Sequence, residues 1–198
     1  MKIIIVGASG TIGKKVTEAL SPGNEIITAG SKSGDLQVDI TSSASIEAFY
    51  KQTGSFDALV SVTGSAHFGP LKSMTAKDFD SGLQNKLLGQ VNLVLIGQHY
   101  INAKGSFTLT SGILADDPIV LGANLSTVNA AINAFAKAAA IELENGVRIN
   151  AVSAGVVEDS PGYFPYFPGH IPVVMSKVTN AYYKSVFGAL TGQTISVW

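Results

Sequence analysis

Apolar and polar positions alternate along this chain in blocks that switch between two periods. The run Lys2-Ile3-Ile4-Ile5-Val6 is almost wholly apolar and short, as in a strand buried on both faces. Thr11–Leu20 then places Val16, Ala19 and Leu20 at helical spacing. Ser21-Pro22-Gly23-Asn24 reads as a turn by residue type. Glu25–Ala29 reads as a second strand and Leu36–Ile40 as a short third. Only Gly30–Asp35 separates these two, too few residues for a crossover helix. Either that crossover is an unusual loop, or the third strand is marginal. Further on, the pattern predicts a helix over Ser43–Lys51 with Ser43 as cap, a strand over Ala58–Ser61 and a long helix from about Thr75 to Ala103. A strand over Gly105–Thr110, an alanine-rich helix over Asn124–Glu144 and a strand over Arg148–Ser153 follow. The chain closes on a mostly helical Pro172–Leu190 and a strand over Thr194–Val197. Strands alternating with helices imply a doubly wound parallel sheet with helices on both faces, in one α/β domain over residues 1–198.

Composition narrows the function classes. Of 198 residues, 46% are hydrophobic and 14% charged, which suits one well-buried domain. A net charge of −1 offers no basic field for nucleic acid, and no Lys/Arg cluster marks a membrane-facing patch. With no cysteine there are no disulfides and no thiolate metal sites. Asp116-Asp117-Pro118 has no neighbouring His or acid cluster and reads as a turn, so no metal site is expected. No apolar run approaches a membrane span of roughly 20 residues. The first strand is too short for a signal peptide, and the expected location is cytoplasmic.

Candidate chemistry begins at Gly7-Ala8-Ser9-Gly10-Thr11-Ile12-Gly13, wedged between the first strand and the first helix. Gly7 permits a tight turn, Gly10 lets backbone approach a phosphate, and Gly13 lets helix pack on strand. With free N–H groups and the positive helix end, this is a site for a dinucleotide pyrophosphate. In such sheets the ligand lies beyond the carboxyl ends of the strands, so loops starting at Gly7, Gly30, Val62, Ser111 and Ala154 are expected around one crevice. After the second strand stand Ser31, Lys32 and Ser33, with no acid to take a ribose 2′-hydroxyl. Two hydroxyls and an ammonium favour the 2′-phosphate of NADP over NAD. Asp39 either accepts from an adenine amino group, with Ile40 packed on the ring, or serves as a helix-entry Asp. Val62-Thr63-Gly64 is a small loop that lets the dinucleotide pass.

Gly7–Gly13, Asp39-Ile40, Asp57–Val60, Phe68-Gly69-Pro70, Gly89–Leu93, Gly105-Ser106-Phe107, Ala139–Leu143 and Arg148–Val152 occur in an order that resembles the short-chain dehydrogenase/reductase family over nearly the whole chain. The resemblance implies a seven-stranded Rossmann fold, hydride transfer between NAD(P) and a carbonyl or alcohol, and homodimers or homotetramers through the long helices. It also implies that the usual catalytic set is absent. Anchoring on Ala140–Leu143 and Arg148–Asn150 puts the usual Tyr at Leu125 and the usual Lys at Asn129. Anchoring on Gly105–Phe107 puts the usual Ser at Gly112, next to Ser111, and anchoring on Gly89 puts the usual Asn at Lys86. Loss of a general acid costs about 10²–10⁴-fold in rate.

The Lys and Asn positions look exchanged. Lys86 is therefore expected near the nicotinamide ribose with Asn129 close by, and Ser111 is a further catalytic candidate. The alternative for Lys86 is a solvated helix residue. His67 is a lesser candidate for proton transfer. Tyr163 and Tyr166, in the proline-rich Pro161–Pro168, sit where the family places its substrate lid and would favour an apolar or aromatic small molecule. These residues suit an NADP-dependent oxidoreductase with a non-standard proton relay. A nucleotide-binding sensor or assembly protein without turnover is the alternative. An epimerase or lyase on the same fold is a third class.

Overall fold

The computed structural model describes residues 1–198. Seven strands, all parallel, form one sheet in the order β3-β2-β1-β4-β5-β6-β7. They are β1 (Lys2–Val6), β2 (Glu25–Gly30), β3 (Leu36–Gln37), β4 (Phe56–Ser61), β5 (Ile101–Thr110), β6 (Arg148–Ala154) and β7 (Thr194–Val197). The helices are α1 (Thr11–Leu20), α2 (Ser43–Thr53), α3 (Ala76–Gly82), α4 (Gly89–Gly97), α5 (Ala123–Ala139) and α6 (Met175–Phe187).

Strand alternation explains why β1 is apolar at every position from Ile3 to Val6. Ile4 and Val6 face one cluster with Leu59, Phe107, Ile149 and residues of α2, α4 and α5. Ile3 and Ile5 face the other, with Ala58, Val60, Val152 and residues of α1 and α6. Each side of the sheet is thus roofed by helices, and no strand face of β1 meets water. Strand order reverses between β1 and β4, which places the crevice of such a sheet at their carboxyl ends.

Several boundaries depart from the sequence pattern. β3 pairs through Leu36 and Gln37 alone, and Val38 and Ile40 turn into the core. The crossover is indeed a short loop, held by a side chain: Asp35 accepts from the Thr28 N–H (2.9 Å) and hydroxyl (2.7 Å). The cap of α2 is Ser42 rather than Ser43, its hydroxyl accepting from Ser45 N–H. The long helix predicted to reach Ala103 begins with a capping box at Thr75, passes through a π-helical turn at Leu83–Leu88 and ends at Gly97. A Cβ on Gly97 would stand 2.5 Å from the Tyr50 hydroxyl, so the helix closes on a buried tyrosine. β5 therefore starts at Ile101, and its pairing with β4 shifts register between Phe56 and Ala58. α5 stops at Ala139 instead of Glu144. Asn145 and Gly146 both take positive φ and lead into β6. In the predicted Pro172–Leu190 segment only Met175–Phe187 is α-helical.

Candidate functional site

The glycine turn follows β1 as its sequence requires. Gly7 has φ +91°, and a Cβ there would fall 2.3 Å from the Val62 carbonyl oxygen. A Cβ on Gly13 would fall 2.1 Å from the Gly7 carbonyl oxygen, so this glycine sets how closely α1 approaches the turn. Gly10 is different: its added Cβ would meet nothing nearer than 3.5 Å, and it is exposed at the N-cap of α1. The Thr11, Ile12 and Gly13 N–H groups have no backbone acceptor, as the first turn of a helix leaves them. This is a cradle with free donors at a positive helix end, and it fits a pyrophosphate.

The neighbouring loops close around it. Ser33 donates from its hydroxyl to Ser9 at 3.0 Å, which brings the exposed Ser31, Lys32 and Ser33 to the edge of the glycine turn. Val62 N–H donates to Val6 across the switch point at 2.8 Å. Thr63 and Gly64 continue from there, with Gly64 at φ +108°. Asp39 is exposed and accepts through Oδ1 from the Thr41 N–H (2.9 Å) and hydroxyl (2.7 Å) just before α2. Those bonds hold its carboxyl below the ordinary carboxylate range. Ile40 is spent on the core: it packs against Gly89 and is 7% exposed, which leaves little of it to face an adenine ring.

Beyond the glycine turn lies a cavity of about 490 Å³. Lys86, Ser111 and Asn129 all line it, together with Leu125, Gly64 and Ile12. The three catalytic candidates thus come from the π-helical turn, the end of β5 and α5, and they meet in one place. Lys86 is 9% exposed, and no carboxylate lies within ion-pair distance of it. Burial without a counter-charge disfavours its ammonium and pulls its pKa from 10.5 down to about 8. The solvated-helix alternative for Lys86 is therefore excluded. Asn129 is 3% exposed, and its Oδ1 has no hydrogen-bond partner. Lys86 and Asn129 thus line one cavity, and the buried Asn129 Oδ1 without a partner is an acceptor that a polar ligand would satisfy. Ser111 makes only a long 3.5 Å contact from its hydroxyl to the Val152 carbonyl, so it too is free to turn to a ligand.

The lid segment after β6 is a loop tied at its base. Val157 pairs with Val173, and Glu158 caps α6 by accepting from Met175 N–H at 2.8 Å. Tyr163 and Phe167 line the cavity. Tyr166 instead meets Phe68 edge to face, with ring centroids 5.0 Å apart. His170 Nε2 stands 3.5 Å from Asp117 Oδ2, so this loop lies against the Asp116-Asp117-Pro118 turn. No group of three metal-ligating side chains occurs. His67 does not line the cavity. Its N–H donates to Asn124 Oδ1, and its ring lies 3.8 Å from Asp78.

Two residues that the sequence reading passed over build this site. Asn124 accepts from His67 N–H and donates to the Phe79 carbonyl, pinning the loop after β4 to α3. Gln90, wholly buried, bonds both the Lys86 carbonyl and the backbone of Thr110. A polar residue at a core position of an apolar helix was the signal available for each.

Residues 7–163 match the sequence model of a family described as enoyl-(acyl carrier protein) reductase. A curated relative, the short-chain dehydrogenase/reductase ucsE of Acremonium sp, is 34% identical over 89 residues, covering 44% of this chain and 33% of that protein. The crystal structure of the protein lin1944 from Listeria innocua superposes with TM-score 0.98 at 51% identity, covering 100% of both chains. A small-chain dehydrogenase solved in complex with NADPH superposes with TM-score 0.89 at 26% identity, covering 100% of this chain and 96% of that one.

Proposed function

The chain belongs to the short-chain dehydrogenase/reductase family, and we propose that it is an NADP-dependent oxidoreductase acting on a small, apolar carbonyl compound or alcohol. The observation that carries this reading is Lys86, an unpaired ammonium buried on the cavity that opens beyond the phosphate cradle. The N–H groups of Thr11, Ile12 and Gly13 hold the pyrophosphate, while Ser9, Ser31, Lys32 and Ser33 take the 2′-phosphate. A nicotinamide cofactor, when bound, supplies or accepts the hydride. Lys86 gives the accompanying proton to the carbonyl oxygen, or takes it from an alcohol in the reverse direction. Its lowered pKa suits it to both near neutral pH. Asn129 and Ser111 orient the groups around it. Leu125, Ile113, Tyr163 and Phe167 make the rest of the wall apolar and exclude water. Holding the two reactants together contributes about 7–11 kcal/mol in favourable cases, enough for useful rates without the family's usual tyrosine.

The NADPH complex of the small-chain dehydrogenase supports NADP as the cofactor. A homodimer or homotetramer belongs to the same proposal: Leu88 and Leu95, one heptad apart beside and on α4, are exposed and would be covered by another helix pair. No helix is long and apolar enough to cross a membrane.

The test is NADPH with a panel of apolar aldehydes, ketones and quinones, followed by absorbance, beside calorimetry of NADP and NAD binding. Oxidation of NADPH by at least one member is the expected result. Tight binding with no consumption and no change in any substrate would instead indicate a cofactor-binding sensor. Conversion of a substrate with no net loss of NADPH would indicate an epimerase or lyase.

A further inference from the structure

We infer that Gln90 is the positioning residue of this site, locking the π-helical turn that carries Lys86 to the end of β5 that carries Ser111. The inference rests on the reading of Lys86 as the proton donor. Gln90 is wholly buried and does not line the cavity. Its Nε2 donates to the Lys86 carbonyl at 3.2 Å and to the Thr110 carbonyl at 2.9 Å. Its Oε1 accepts from the Thr110 N–H at 2.9 Å. One side chain amide thus bridges two backbones whose next or own residues face the cavity.

The two ends of the clamp are held differently. Thr110 is also held from the opposite side, its hydroxyl bonding the Ser61 carbonyl (2.5 Å) and the Tyr182 hydroxyl (2.7 Å). The π-helical turn departs from the ordinary i→i−4 ladder; Ser65 N–H donates to its Asn85 Oδ1 at 2.6 Å, but the Lys86 carbonyl has Gln90 as its one side-chain partner. Loss of the Gln90 amide therefore loosens the turn at Lys86 and leaves β5 in place. Once the turn is loosened, the Lys86 amine reaches water and its burial penalty shrinks. Tyr163, on the lid, is the only other titratable side chain on the cavity; α1, the loop after β4, and the ends of β5 and β6 contribute none.

The experiment is labelling of the full-length protein with acetic anhydride over a pH series, with the Lys86 peptide read by mass spectrometry. Gln90→Met keeps the shape of the side chain and removes its hydrogen bonds. Tyr50→Phe is the control: the Tyr50 hydroxyl donates to the Leu93 carbonyl at 2.6 Å, so this variant loses one buried bond to α4 away from the site. The expected result is a rise of about one pH unit in the Lys86 labelling midpoint in Gln90→Met, none in Tyr50→Phe, and a lower kcat with unchanged KM for NADPH in Gln90→Met alone. An unchanged midpoint in folded Gln90→Met, or an equal movement in Tyr50→Phe, overturns the proposal. If Gln90→Met does not fold, Gln90→Leu, which removes the same hydrogen bonds without adding a charge, is read the same way. Wild-type protein that binds no NADP would defeat the oxidoreductase reading and leave the labelling comparison standing.

Discussion

A methyl group on Gly64 would stand 2.7 Å from the Lys86 Cα and 3.0 Å from its Cγ, so the loop after β4 and the π-helical turn touch backbone to backbone. That contact keeps the lysine stem pressed into the cavity wall. Gly64 also has φ +108°, where an L side chain is strained. Gly64→Ala is therefore expected to destabilise by about 2–4 kcal/mol, combining strain with displacement of the turn. The melting temperature should fall by about 2–4 °C per kcal/mol in a chain of this size. NADPH oxidation should fall further than stability explains, because the displaced atom belongs to Lys86. A variant with unchanged melting temperature and rate would contradict the close contact.

Lys86 itself is expected to cost stability at neutral pH. Its folded pKa lies below the ordinary value of 10.5, near 8, so the unfolded chain binds more protons between those values. Stability should rise as pH increases from about 8 towards 10.5, because only then does the unfolded state surrender the same proton. Below about 8 the full penalty, roughly 3 kcal/mol, is present. Lys86→Met should raise the melting temperature at pH 7, flatten this alkaline dependence and cut carbonyl reduction by about 10²–10⁴-fold. In the wild type, reduction should slow as pH rises through about 8 while alcohol oxidation speeds up. Denaturant melts and initial rates across pH 6–10 check both.

The sequence made the glycine turn readable because Gly7, Gly10 and Gly13 sit between an unbroken apolar strand and an unbroken helix, and nothing distant competes with that local pattern. The meeting of Lys86, Ser111 and Asn129 was readable only through the family's order of motifs, since those residues lie far apart along the chain. Helix ends were the weak point. Gln98–Tyr100 carries no proline or Asn-Gly pair to mark a stop, and the Tyr50 hydroxyl that makes Gly97 a closing residue is almost fifty positions away. The π-helical turn left no periodic trace, because Leu83, Leu87 and Leu88 fit an α-helix equally well. Gln90 and Asn124 announce themselves only as polar residues where packing asks for apolar ones, and their partners are set by tertiary structure.

Cofactor choice should turn on Lys32. It is exposed, as are Ser31 and Ser33, and Ser33 is already bonded to Ser9 of the glycine turn. Lys32→Glu puts a carboxylate where the 2′-phosphate would lie. NADP affinity should weaken by about tenfold or more, a loss of at least about 1.4 kcal/mol, and NAD affinity should hold or improve. Calorimetry with both cofactors at fixed ionic strength reads the change. Equal weakening for both would place Lys32 outside the 2′-phosphate site.

Asp35 should control the same preference from a distance. Its carboxylate accepts from both donors of Thr28, and the Asp35 N–H returns a bond to the Thr28 hydroxyl at 3.0 Å, so the five residues of the crossover are stitched to β2. The Thr28 backbone and side-chain hydrogen bonds hold the Asp35 carboxyl below its ordinary 3.8. The folded state therefore favours the carboxylate, and its contribution is complete above the ordinary value and lost as pH falls through the lowered one. Because the group is largely exposed, the effect on global stability of Asp35→Ala should be small, within about 1 kcal/mol. Its effect on the loop is larger, since Ser31, Lys32 and Ser33 lose the anchor that presents them to the glycine turn. Asp35→Ala should weaken NADP binding several-fold and leave NAD binding nearly unchanged, the same sign as Lys32→Glu without any change at the phosphate itself. The double variant should then lose little beyond Lys32→Glu alone, because an unanchored loop and a repelled phosphate remove the same interaction. Fully additive losses in the two-cofactor calorimetry would show that Asp35 acts through something other than the loop.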